Sequence, residues 1–98
     1  VPAEVLTLET FRPHLGSVFV IPFIEGPFEL TLSEVRSLSS RALSAPHQPF
    51  ALLFHGPVSP VLPQRIYPLE HPTLGRQEIF IVPIGPDGSG MGYEAIFS

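Results

Sequence analysis

The chain predicts an all-β domain, a small six-stranded antiparallel barrel or orthogonally packed sandwich with one short N-terminal helix. Three observations predict it. From Phe50 onward, the apolar runs PFALLFHG, QRIYPLEH, QEIFIVPIG and MGYEAIF are separated by the breaks GPVSPVLP, HPTLGR and GPDGSG. Turns need Gly and Pro whereas strands reject them, so this rhythm reads as strand, turn, strand. Ahead of it lie two more runs with strand character, and only one stretch carries helical spacing.

Taken in order, Val1 to Leu6 reads as a lead-in arm. Thr7 to Gly16 holds the helix signal: Thr7 or Thr10 suits the N-cap, Glu9 the first turn, and Leu8, Phe11 and Leu15 share a face. Pro13 restricts the helix to about two turns, and Gly16 is a natural stop. The expected role is a plug that packs Phe11 and Leu15 over one end of the sheet.

Ser17 to Glu25 is rich in β-branched and aromatic residues and reads as a strand, with Pro22 marking an edge or a bulge. After the Glu25-Gly26-Pro27 turn, Phe28, Leu30 and Leu32 alternate with polar residues. The next apolar positions, Val35 and Leu38, are out of phase. A bulge at Ser33-Glu34 restores the parity. Residues Ser37 to Pro49 lack strand grammar and read as an exposed connection.

Phe50 to His55 and Arg76 to Ile84 are apolar on both faces: Phe50, Leu52 and Phe54 oppose Ala51 and Leu53, and Phe80, Val82 and Ile84 oppose Ile79 and Ile81. Strands of that kind are covered on both sides, by barrel curvature or by another chain.

Composition narrows the function. Residues 1–98 form a single domain of 98 residues. Charged residues make up 14%, all five basic ones are arginine, and net charge is −4. Against a usual charged fraction of about 25%, so low a value predicts surface buried against a partner. The acidic balance and the lack of a basic run exclude a phosphate-neutralising nucleic-acid surface. The lack of cysteine excludes disulfides and thiolate metal sites. No apolar run reaches the ~18 residues of a membrane span. The opening VPAEVLTLETF lacks the regions of a signal peptide, which predicts cytoplasmic synthesis and leaves extracellular assembly open. A start at Val1 leaves room for a removed leader.

The candidate chemistry is sparse. Glu70-His71-Pro72 is the most enzyme-like cluster, but neighbours in a strand point to opposite faces. His14, His47, His55 and His71 have no metal-ligand spacing, so no metal or other cofactor is predicted. The GPDGSG stretch reads as a hairpin loop with Gly88 or Gly90 at positive φ; without lysine it cannot be a P-loop. One aspartate and no Gly-x-Ser-x-Gly elbow leave a serine-hydrolase constellation short of parts.

The segments LTLETF, LLFHGP, LPQ, LEHPTLG, IFIVPIGPD and YEAIF resemble an uncharacterised family of short bacterial proteins classed as a domain of unknown function. The resemblance spans nearly the whole chain, leaving out the Ser37 to Pro49 loop. It implies no activity, and it implies an assembly or fibre-associated role beside tail-collar-like proteins.

The reading is a non-enzymatic structural module that self-associates, as an oligomer or fibre, or docks into a larger assembly. Val18, Phe19, Val20, Ile21, Ile79 and Ile81 are the expected interface, so that an Ile81→Arg variant stays folded and becomes monomeric. The alternative is a small-molecule-binding barrel with an apolar cavity anchored by His55, Arg65 and Tyr67. A hydrolase using Glu70 and His71 stands third.

Overall fold

Six antiparallel strands close into a barrel in the order β1-β2-β3-β6-β5-β4. They are β1 (Val18–Phe23), β2 (Gly26–Ser37), β3 (Phe50–Gly56), β4 (Arg65–His71), β5 (Gly75–Asp87) and β6 (Gly90–Phe97). The structure, a computed structural model, describes residues 6–23, 25–38 and 49–97. The predicted arm over residues 1–6, except Leu6, and most of the predicted 37–49 connection lie outside them. Ser37 itself ends β2, and the Leu38 amide donates to the Pro49 carbonyl at 3.0 Å.

The predicted parity change in β2 is a bulge. Leu32 lies opposite Phe54 and Glu34 opposite Leu53, with Ser33 the extra residue. That extra residue lets Leu30 and Leu32 on one side of the bulge, and Val35 on the other, all pack on the core. Pro22 sits opposite Pro27 near the β1–β2 hairpin, and the recorded β1–β4 pairing is Val20 with Glu70, so proline falls beside a sparsely bonded seam.

The interior is filled by alternate side chains from all six strands, among them Phe19, Ile21, Leu30, Leu32, Leu52, Phe54, Leu69, Ile79, Ile81 and Tyr93, each less than 2% exposed. Barrels this small enclose side chains rather than a channel. Four residues expected at an interface, Phe19, Ile21, Ile79 and Ile81, are therefore core: closure turns their faces inward. Of the remaining two, Val18 is exposed and Val20 half-buried on the outer wall.

Each end is plugged. The helix α1 (Leu8–Phe11) continues as a 3-10 turn (Arg12–His14), and the Thr7 amide donates to Thr10 Oγ1 at 3.1 Å at its start. Phe11 is fully buried, with its ring 6.4, 6.0 and 5.8 Å from those of Phe19, Phe50 and Phe97. Leu15, expected beside it, is 48% exposed because the chain leaves helical geometry before reaching it. Gly16 stops the turn with φ of 87°. At the other end, the 57–64 connection lays Leu62 into the barrel. The Leu62 amide donates to the Tyr93 hydroxyl at 2.9 Å, and the Tyr67 hydroxyl donates to the Pro63 carbonyl at 2.7 Å.

Candidate functional site

Three features of the wall and rim carry the functional argument. The first is apolar. On the outer face, Ile66 of β4 lies directly opposite Phe80 of β5. Val82, where the β5–β6 pairing ends, lies opposite Glu94 of β6, and Ile96 stands two residues farther along the same outer face of β6. Ile66, Phe80 and Ile96 are 59%, 49% and 53% exposed, and Ile84 adds a fourth exposed residue on β5. Charges beside this row are satisfied within the chain: Arg36 reaches Glu34 at 3.6 Å and Glu94 at 3.5 Å, and Arg76 reaches Glu78 at 3.2 Å. The two apolar faces legible in 76–84 are thus a core face and an exposed face.

The second feature is a cleft of about 470 Å³ at the α1 end, lined by Val20, Glu70, His71, Pro72, Gly75 and Arg76. Glu70 and His71 both border it although the pleat sends them to opposite faces, because β4 ends there. His71 is 8% exposed. Its Nδ1 accepts from the Thr73 and Leu74 amides at 3.0 and 3.3 Å. Burial first, and the neighbouring His14 second, push its pKa below the ordinary histidine value. The neutral ring therefore carries its proton on Nε2 and its lone pair is already engaged. As a general base for the Glu70/His71 hydrolase reading, His71 has no free acceptor nitrogen. Among the described residues, no three His, Asp or Glu side chains gather into a metal-binding group.

The third feature joins residues remote in sequence. The Ser33 hydroxyl lies 2.7 Å from His55 Nδ1, and His55 Nε2 lies 2.9 Å from Asp87 Oδ2. The other Asp87 oxygen accepts from the Ser89 amide at 2.7 Å. The hydrogen bond from His55, followed by that from Ser89, holds the Asp87 carboxyl below the usual carboxylate range. An ionised Asp87 can only accept, so Nε2 donates to it; on a neutral ring Nδ1 is then left to accept from the Ser33 hydroxyl, whose other acceptor, the Thr31 carbonyl, is farther away at 3.4 Å. The β2 bulge turns Ser33 outward, the β3 register puts His55 opposite Thr31, and the β5–β6 hairpin brings up Asp87.

The residues named for a ligand site do not converge. Tyr67 is buried and spends its hydroxyl on Pro63; burial, partly offset by Arg65, pushes its phenol pKa up. The Arg65 guanidinium stands 6.0 Å from the Tyr67 ring centroid. His55 is on the outer wall with Ser33 and Asp87. Sequence reasoning named His55 but missed Ser33 and Asp87 as its partners; the parity slip at Ser33 was the one local signal of an unusual position.

Among the described residues, no helix is long and apolar enough to cross a membrane. Comparison with curated proteins and with solved structures gives no match. Residues 6–97 match the family model described as "Domain of unknown function (DUF6916)", and the chain belongs to that family.

Proposed function

We propose that this domain acts as an association module and that the outer face of β4, β5 and β6 docks against a second copy. The observation that carries the reading is the row Ile66, Phe80 and Ile96, about half exposed across three neighbouring strands. Apolar side chains in a contiguous group, rather than scattered singly, mark contact surfaces. A second copy is the occupant because the row is nearly symmetric about β5, with one isoleucine on either side of Phe80. A twofold axis along β5 stacks Phe80 on its twin and sets Ile66 against Ile96 twice over, as a self-complementary interface requires. The ion pairs at Arg36 and Arg76 leave little net charge on the flanks to repel a copy or to select an oppositely charged partner.

Such a pair is a building unit for the larger fibre or tail-collar-like assembly that the family resemblance implies. Growth beyond the pair needs a second, non-equivalent contact. Light scattering over a concentration series tests the reading. Wild-type protein is expected to dimerise and Phe80→Glu to remain monomeric with an unchanged circular dichroism spectrum. A wild type that stays monomeric at every concentration overturns it.

The cleft favours a second reading, small-molecule binding at the rim rather than inside the barrel. Glu70 presents a carboxylate beside apolar Val20 and Pro72, and the exposed Arg76 can turn from its surface partner Glu78 to a ligand, which suits a small zwitterion. Native mass spectrometry of the purified protein distinguishes this reading by a bound mass that an Arg76→Ala variant loses.

A further inference from the structure

We propose that Ser33 is an activated nucleophile, with His55 as its general base and Asp87 as the group that orients His55, and that it accepts acyl groups from activated esters or thioesters. This goes beyond association, and it departs from the sequence-based expectation of a domain without chemistry. The ordering of parts is what nucleophilic catalysis by a hydroxyl requires: nucleophile against base, base against an orienting carboxylate. Both contacts are at full hydrogen-bond length, 2.7 Å and 2.9 Å. The roles of the ring nitrogens are exchanged relative to the familiar hydrolase triad, since serine meets Nδ1 and aspartate meets Nε2. The chemistry is unaffected by the exchange, because either nitrogen is a base when the other carries the proton.

Accessibility divides in the useful sense. Ser33 is exposed, whereas the His55 side chain is only 10% exposed and its Nδ1 is directed at the hydroxyl. Asp87 is held from two sides, by His55 and by the Ser89 amide within its own hairpin, which fixes the carboxylate while leaving it solvated. The shallow depression of about 60 Å³ on the same outer wall begins at Glu34, next to Ser33 in sequence, and is lined by Arg36, Leu53, Ile84 and Glu94 among others, while Ser33, His55 and Asp87 stand outside it on open surface. Glu34 follows Ser33 directly, and Leu53 is the next outward residue to His55 along β3.

In the step itself, Ser33 Oγ forms a bond to the acyl carbon while the bond from that carbon to the leaving oxygen or sulfur breaks. The hydroxyl proton passes to His55 Nδ1, giving an imidazolium opposite the Asp87 carboxylate, and from there to the leaving group or to water. No oxidant, reductant or metal is needed. Donors with a good leaving group react first, because they demand little stabilisation of the oxyanion.

The test is incubation of the full chain with p-nitrophenyl acetate, read by release of nitrophenolate and by peptide mass mapping of the adduct. The expected result is acetylation at Ser33, abolished in Ser33→Ala. General-base assistance contributes about 10²–10⁴-fold, so His55→Gln should slow acylation by about 100-fold or more. Asp87→Asn should also slow it and displace the pH–rate profile, which a purely structural tether would leave unmoved. Asp87 is exposed, so this variant serves even where His55→Gln is destabilised. Acetylation spread over other serines, or equal rates in wild type and Asp87→Asn, overturns the proposal.

Discussion

His71 shows how one side chain couples the fold to pH. Its ring lies 4.6 Å from that of His14 and 4.7 Å from that of Phe19, and its Nδ1 accepts two amides of the turn that follows. Protonating Nδ1 would oppose those donors, and burial would leave the new charge poorly solvated. The folded pKa consequently lies below the unfolded value of 6.5. Between the two, the unfolded chain binds more protons, so stability rises with pH through that window. The contribution is fully present above the unfolded pKa and is lost as pH falls toward the folded one. Urea midpoints are expected to be level above about pH 7 and to decline toward about pH 5.5. His71→Asn retains an acceptor for the turn without the titration and should remove much of that decline. A decline of equal size in the variant would show that His71 is not its source. Asp87 works in the opposite range. Its depressed pKa gives a contribution that is present above the ordinary carboxylate value and vanishes in acid as the carboxyl protonates.

Among the elements, the β5–β6 hairpin is the most constrained by local chemistry. The GPDGSG stretch was legible as a turn, and the structure closes it with Asp87 opposite Gly90. Gly90 has φ of 123°, and a Cβ there would stand 2.5 Å from the Gly56 carbonyl oxygen of β3. Both the backbone conformation and the close strand approach demand glycine, and a backbone oxygen cannot swing aside. Gly90→Ala is expected to cost more than about 2 kcal/mol in chemical denaturation. Gly88→Ala, at a position with open space and no positive φ, should stay within about 0.5 kcal/mol of wild type. Equal losses in the two variants would mean that the turn as a whole, and not the approach to Gly56, sets the requirement. Sequence reasoning found this hairpin because Gly, Pro and Asp act locally. It did not find the side-chain chain anchored there, because Ser33, His55 and Asp87 meet only through three strand registers and a bulge. Local patterns carry turns and strand parity; they carry no information about which strands become neighbours.

At the scale of the whole molecule, barrel closure decides what each apolar face does. In β5, Ile79 and Ile81 are enclosed while Phe80 and Ile84 are exposed, and nothing in the run QEIFIVPIG distinguishes the two sets by hydrophobicity. The number of strands, the bulge and the terminal plug were legible, because each has a local signature in Gly, Pro, parity or helical spacing. The inward face was not, because it depends on β4 pairing Arg65 with Ile81 and Ile66 with Phe80 across a register set by the HPTLG turn. The consequence is a sharp contrast between adjacent residues. Ile81 is 0% exposed, so Ile81→Arg places a charge among packed rings and aliphatic chains with no partner within the barrel. Such losses exceed about 4 kcal/mol, a large share of the 5–15 kcal/mol that holds a domain together. Phe80→Arg changes the outer wall alone and should leave unfolding within about 1 kcal/mol of wild type. Thermal melts followed by circular dichroism are expected to show Ile81→Arg unfolded and Phe80→Arg folded. A folded Ile81→Arg protein that has merely lost association would mean that this strand turns its other face to the core, and the assignment of inner and outer walls would be reversed.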